Sequence, residues 1–108
     1  MNFTQKDKNT YLDKIAHSTK QGMWLTEMAQ MKSEEKLAKK KALLTTLEQQ
    51  LANKEFDNAR QGKAQIKHVT DEIANLEAEV QESKLLIESG KQDLEMIEQY
   101  REKPVEIS

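Results

Sequence analysis

The stretch IKHVTDEIANLEAEVQESKLLIESGKQDLEMI, from Ile66 to Ile97, decides the fold. Apolar side chains alternate along it at spacings of three and four residues, the pattern of a helix packed along one seam. This spacing defines ten seam positions. Eight of them carry large apolar residues, and the other two carry the small residues Ser83 and Gly90. The predicted seam residues of this half are Ile66, Val69, Ile73, Leu76, Val80, Ser83, Ile87, Gly90, Leu94 and Ile97.

The first half of the chain also predicts a long helix. Thr4 is a candidate N-cap, with Asp7 three residues later, and no proline precedes Pro104. Four leucines at 7-3-4 spacing share one helix face and extend the predicted seam; they are Leu37, Leu44, Leu47 and Leu51. Trp24 and Met31 form a row that is one residue out of phase with these leucines. Either the apolar stripe moves around the helix or the helix is distorted in this region, and the sequence leaves both alternatives open.

A reversal is predicted near Asp57 and Asn58, whose side chains favour caps and turns. The predicted fold class is all-α, an elongated antiparallel helical hairpin or coiled coil in a single domain, residues 1–103. Its predicted parts are a helix over about 4–55, a turn at about 56–58, a helix over about 59–102 and a disordered tail at 104–108. Pro104 ends the second helix because it cannot donate to the helical hydrogen-bond ladder.

The charge distribution favours this hairpin. Residues 1–41 carry a net charge of +4 and residues 64–108 carry −6, although the whole chain carries only −2. The two halves therefore attract each other, and a reversal at Asp57–Asn58 places Lys39–Lys41 beside Glu72 and Glu77. The same reversal places Met31 opposite Ser83 and Trp24 opposite Gly90. Large side chains would then fill both gaps in the seam.

Two other architectures remain open from the sequence alone. One is a long continuous helix in a coiled-coil dimer, and the other is a compact three-helix arrangement hinged at Gly22. A parallel dimer would bring Glu72 against Glu77 and Asp93 against Glu98, which are repulsive pairs. Further association of the hairpin into a homo-oligomer also stays open.

The composition limits the classes of protein. Hydrophobic residues make up 36% of the chain and charged residues 33%, which suits a narrow apolar stripe along helices rather than a broad core. There is no cysteine, so disulfides and thiolate metal sites are excluded. The sequence contains neither a signal-peptide core nor a membrane span, which predicts a cytoplasmic location. Signal-less export stays an open alternative.

No motif in the chain predicts catalysis. His17 and His68 are the only histidines; His68 and Glu72 have the i, i+4 spacing of a two-ligand metal half-site but occupy solvent-facing heptad positions. No glycine-rich loop could hold a phosphate, and no carboxylate pair lies in an apolar context that would separate its pKa values. We therefore expect a protein without catalytic residues, cofactor or metal.

A methionine- and tryptophan-rich stretch is the candidate protein-binding site. Its residues are Met23, Trp24, Leu25, Met28 and Met31. Such side chains form an adaptable apolar surface of the kind that docks partner helices. The sequence thus predicts a helical interaction module, acting as an adaptor, chaperone or assembly factor for another protein.

Two alternative functions accompany this hypothesis. A basic patch could contact phosphates of a nucleic acid; it consists of Lys36, Lys39, Lys40 and Lys41. Only two arginines occur in the chain and no aromatic residue interleaves the patch, which makes nucleic acid the weaker hypothesis. The second alternative is a self-assembling structural spacer.

Overall fold

The computed structural model describes residues 4–103, which form two α-helices. Helix α1 spans Gln5–Ala52 and helix α2 spans Ala59–Glu102, joined by a loop over residues 53–58. No strand occurs among the described residues, and the predicted all-α helical hairpin is confirmed. The loop excludes one continuous helix, and α1 runs unbroken through Gly22, which excludes the hinged arrangement. The tail expected at 104–108 lies outside the described residues.

Side chains from the preceding residues cap both helices. At α1 the Asp7 amide donates to Thr4 Oγ1 over 3.1 Å, and the Thr4 amide donates to Asp7 Oδ2 over 3.1 Å, a reciprocal capping box. The Thr4 hydroxyl also donates to Asp7 Oδ2 over 2.9 Å, and the bonds from the Thr4 amide and hydroxyl lower the pKa of the Asp7 carboxyl group. At α2 the Arg60 amide donates to Asn58 Oδ1 over 2.9 Å. The capping roles predicted for Thr4 and Asn58 are thereby confirmed.

Helix α1 ends at Ala52, earlier than the predicted end near residue 55. Lys54 adopts a left-handed conformation with φ of 56°. The Lys54 amide donates to the Leu51 carbonyl over 3.1 Å, and the Glu55 amide donates to the Gln50 carbonyl over 2.9 Å. These two bonds make a Schellman motif, which satisfies the last carbonyls of the helix. Sequence analysis missed this end because glycine, the usual residue at such a position, is absent from it.

Replacing Lys54 with glycine is expected to raise the free energy of unfolding by about 0.5–1 kcal/mol, because glycine adopts a positive φ without steric cost. Urea unfolding followed by circular dichroism measures this change. The matched control is Asn53→Gly, since Lys54 is the only described non-glycine residue with a positive φ. A gain from Asn53→Gly as large as the gain from Lys54→Gly would contradict the assignment.

The residues between Ala29 and Ser83 form one compact unit, the loop unit. Its core consists of Leu47, Val69 and Ile73, each less than 10% exposed, against which Phe56 of the loop packs. Gly62 makes room for Phe56, because a Cβ atom there would lie 2.7 Å from Phe56 Cδ2. Phe56 thus covers the loop end of the core.

The described residues 4–28 and 84–103 form the second unit, the terminal unit. Its core consists of Leu12, Ala16 and Ile97, with Ile15 and Leu94 packed against them. The Asp13–Arg101 ion pair, 2.5 Å between Oδ1 and Nη2, joins α1 to α2 beside this core. The hydrogen bond from Arg101 to Asp13, together with the negative charge of Asp13, raises the pKa of Arg101.

The buried positions follow a heptad pattern in both helices. Each of the fourteen predicted seam residues is buried or half-buried. In α1 the buried and half-buried positions continue backwards from Leu37 with the same alternation of three and four residues. These positions are Ser33, Gln30, Thr26, Met23, Thr19, Ala16 and Leu12. The seam of α1 therefore keeps the phase of its leucines through a polar stretch and excludes the Trp24 row.

Candidate protein-binding surfaces

Three apolar side chains of α1 form an exposed surface in the terminal unit, here called the outer patch. Trp24 is 59% exposed, Leu25 61% and Met28 38%. Successive helix residues are rotated by about 100°, so side chains that follow a seam residue project away from the neighbouring helix. Met23 and Thr26 occupy the seam, which leaves the outer patch facing solvent.

The other two residues of the predicted binding stretch have different surroundings. Met23 is half-buried and belongs to the seam. Met31 is 62% exposed and belongs to the loop unit. The candidate site of five residues is therefore reduced to three in the terminal unit, with Met31 exposed on the same helix.

The predicted fit of Trp24 against Gly90 is wrong. A Cβ atom at Gly90 would lie 2.5 Å from Met23 Cγ and 2.7 Å from Met23 Sδ, so Met23 fills that gap. Met31 likewise remains largely exposed rather than covering Ser83. The error is one of helix phase: a shift of one residue along the sequence rotates the side chain by about 100°.

A groove in the terminal unit is a second exposed apolar surface. It has a volume of about 430 Å³, and it is here called the end groove. Its lining residues are Lys8, Tyr11, Leu12, Ile15, Thr19, Asp93, Met96, Ile97 and Tyr100. Sequence analysis singled out none of the α2 residues among them as candidates, except for Ile97 of the seam. Methionine and tyrosine three or four residues apart beside a seam are the signal that could have identified the surface.

The basic patch lies beside acidic residues of α2 within the loop unit. Lys40 Nζ is 2.8 Å from Glu72 Oε2, and Lys41 Nζ is 3.6 Å from Glu77 Oε1. The predicted pairing of this patch with Glu72 and Glu77 is confirmed. The hydrogen bond from Lys40 lowers the pKa of Glu72. Lys39 pairs with Glu35 at 3.9 Å, while Lys36 lines a cleft that also contains Glu79.

The histidine pair suggested by the sequence lies at the same place. His68 Nε2 is 2.8 Å from Glu72 Oε1, and the His68 side chain is 77% exposed. Within residues 4–103, no three histidine, cysteine, aspartate or glutamate side chains are grouped so that they could hold a metal ion. The Glu72 carboxylate thus contacts both Lys40 of α1 and His68 of α2, and its contact with Lys40 joins the two helices.

Neither of the two described helices has the long apolar segment that crossing a membrane requires. Comparison with protein-family models, with curated proteins and with solved structures gives no match.

Proposed function

We propose that this protein is a non-enzymatic helical interaction module, an adaptor, chaperone or assembly factor, that docks a helix of a partner protein on its outer patch. One observation carries the proposal. In the terminal unit, Thr19 and Thr26 occupy half-buried seam positions, while Trp24 and Leu25 are mostly exposed. Such a sequence places large apolar side chains where they do not stabilise the hairpin.

The energetic argument concerns the exposed ring of Trp24. Burying a large apolar side chain stabilises a protein by about 1.5–3 kcal/mol, and the hairpin leaves most of this unused at Trp24. A partner helix that covers Trp24 and Met28 would gain it on binding, by the helix-in-groove mode. Tryptophan is also among the residues that most often contribute a large share of the binding free energy in protein interfaces.

The ionisable residues support an interaction role rather than catalysis. The pKa values of Asp7 and Glu72 are lowered and the pKa of Arg101 is raised. Each displacement results mainly from a hydrogen bond that caps α1 or joins the helices. None results mainly from removal of water around a reactive group, which is what acid–base catalysis requires. We place the module in the cytoplasm on the composition of the chain.

The pairing of lysines favours a protein partner over a nucleic acid. Lys40 and Lys41 already lie beside Glu72 and Glu77, which reduces the positive charge available to phosphates. Homo-oligomerisation is compatible with the proposal, since the outer patch would remain a docking surface in a small defined oligomer.

Affinity purification from the source organism tests the proposal. The wild-type chain and the double variant Trp24→Ala, Met28→Ala are each used as bait. The affinity of both forms for the recovered partner protein is then measured by titration calorimetry. Loss of two central apolar contacts is expected to weaken binding by about 2–4 kcal/mol, which removes the partner from the purification. Helicity is expected to stay unchanged, because neither side chain contributes to the seam.

The matched control is Leu43→Ala, Leu85→Ala, which removes exposed apolar surface elsewhere; the two leucines are 42% and 67% exposed. This control should recover the same partner as the wild type. Equal recovery by the Trp24 variant would contradict the proposal. So would retention on heparin that is lost when the four lysines of the basic patch become glutamine, since that result supports the nucleic-acid alternative. Open-ended growth in sedimentation with no partner would support the spacer.

A further inference from the structure

The two sides of the terminal unit differ in chemistry. One side carries a polar cleft whose lining includes Asp13, Lys20, Glu98 and Arg101. Asp13 and Glu98 both pair with Arg101 there. The other side carries the end groove, whose exposed rim is formed by Tyr11, Met96 and Tyr100. Of these two sides, only the one with the end groove offers an apolar surface, which is distinct from the outer patch.

The end groove has a buried floor and a prominent rim. Leu12 and Ile97 of the floor are 8% and 6% exposed. Tyr11, Met96 and Tyr100 of the rim are 61%, 52% and 50% exposed. Tyrosine and methionine contribute large contact areas in interfaces, and each tyrosine adds a hydroxyl group at the edge. This arrangement is that of a docking groove with a dry centre and a polar border.

Asp93 gives the groove its electrostatic preference. It is the one carboxylate among the lining residues, and no hydrogen bond or ion pair joins it to any part of the chain that the structure describes. The other charged lining residue is Lys8, whose ammonium group donates a hydrogen bond to the Lys103 carbonyl at the end of α2. The groove therefore presents an unpaired negative charge beside apolar surface.

Among the acids at this heptad position of α2, Asp93 is the one that lacks a partner within the described residues. Glu79 and Glu72 precede Asp93 by two and three heptads and occupy the same position in the heptad. Glu79 accepts a hydrogen bond from Ser33 over 3.2 Å, and Glu72 pairs with Lys40 at 2.8 Å. In the loop unit α1 supplies a partner to both of these acids, whereas the described residues of the terminal unit supply none to Asp93.

We infer that the end groove binds an amphipathic α-helix of a partner protein, with apolar residues in the groove and a lysine or arginine against Asp93. The occupant is helical because the hairpin offers no strand edge to an extended peptide, and a helix satisfies its own backbone hydrogen bonds. Residues 8–19 of α1 span about 16 Å, which matches about three helical turns. The inference adds a second site to the proposed function and does not depend on the outer patch.

A second copy of the chain fits the groove less well. In a two-fold dimer each groove would face the same groove, so the charged residues available to each Asp93 would be Lys8 and Asp93 of the other copy. Lys8 donates a hydrogen bond to the Lys103 carbonyl at the end of α2, and pairing with Asp93 of the other copy would compete with this bond. A partner of different sequence supplies the missing cation without this conflict.

The test uses a pair of designed peptides as probes. Both are blocked helices of about 15 residues with leucines on one face, since shorter isolated helices are marginal in water. One carries lysines beside the leucines, and the other carries glutamates there. Binding is measured by fluorescence anisotropy of the labelled peptide against the full chain. The lysine peptide is expected to bind, and Asp93→Asn is expected to weaken its binding about two- to fivefold, the effect of an exposed ion pair.

Two further variants make the test decisive. Asp93→Lys should reverse the preference, so that the glutamate peptide binds more tightly than the lysine peptide. Met96→Ala with Tyr100→Ala should weaken both peptides by about tenfold or more at unchanged helicity. The matched control is Glu95→Lys, which makes the same charge change at an adjacent α2 residue outside the groove lining. Trp24→Ala with Met28→Ala should leave peptide binding unchanged, which separates this site from the outer patch.

The inference would be overturned if neither peptide binds, or if both bind alike and Asp93→Lys changes nothing. It would also be overturned if Glu95→Lys reverses the preference as strongly as Asp93→Lys. Mass that grows with concentration in sedimentation, and that Met96→Ala with Tyr100→Ala abolishes, would assign the groove to a second copy instead.

Discussion

Replacing Leu47 with alanine is expected to lower the free energy of unfolding by about 2–4 kcal/mol. Leu47 is 7% exposed and packs with Val69 and Ile73 in the core of the loop unit. The substitution removes apolar contacts and leaves a cavity, because backbone atoms of two paired helices do not close fully around the missing side chain. Small domains are stable by about 5–15 kcal/mol, so the loss is a large share of the total. Urea unfolding followed by circular dichroism measures it.

Leu43→Ala is the matched control for this prediction. Leu43 lies on the same helix and has the same side chain, but it is 42% exposed. Its replacement is expected to change the free energy of unfolding by less than about 1 kcal/mol. Equal losses from the two variants would mean that the seam does not pass through Leu47.

Replacing Gly90 with leucine is expected to lower the free energy of unfolding by about 1–3 kcal/mol. Met23 occupies the space beside Gly90, with its Sδ atom 2.7 Å from the position of an added Cβ. A leucine would have to displace Met23 from the seam and separate α1 from α2 locally. The same unfolding measurement reports the loss, and methyl resonances of Met23 should shift with it.

Gly22→Ala is the control with the opposite sign. Nothing lies within 4 Å of an added Cβ at Gly22, which occupies the interior of the same unit's α1 segment. Alanine there is expected to raise the free energy of unfolding by about 0.5–1 kcal/mol, because glycine loses more backbone entropy on folding. A gain in stability from Gly90→Leu as well would show that Met23 does not fill the gap.

Sequence analysis predicted the seam of α2 correctly in its spacing because nearly all of its positions are large and apolar. It predicted only in part which residues of the candidate site are exposed. Trp24 and Met28 are the most conspicuous apolar residues of α1, yet a solvent-facing and a core-facing side chain have the same chemical character. The choice between these positions depends on helix phase, which was concealed because the seam positions Thr26, Gln30 and Ser33 are polar. Alternation of three and four residues backwards from Leu37 reaches Met23, and that count was the available signal.

The groove residues show a different limit of sequence reasoning. Tyr11 and Ile15 are separated from Met96 and Tyr100 by about eighty residues in the sequence. They line one surface only because α1 and α2 pack side by side. Whether Asp93 has an ion-pair partner depends on the residues that face it across the two helices. That Asp93 has no partner within residues 4–103 could therefore be known only from the packed structure.

The sequence by itself determined the helices, the heptad spacing, a reversal near Asp57 and Asn58 and the attraction between a basic and an acidic half. These properties depend on neighbours within about one or two helical turns, on caps such as Thr4 and Asn58, and on the distribution of charge. The tertiary structure alone decided which side chain fills the gap at Gly90 and which are left in solvent. In the terminal unit Met23 occupies the seam beside Gly90, and the next residue of a helix is rotated by about 100° away from it. Trp24 is consequently exposed despite being the largest apolar side chain of α1.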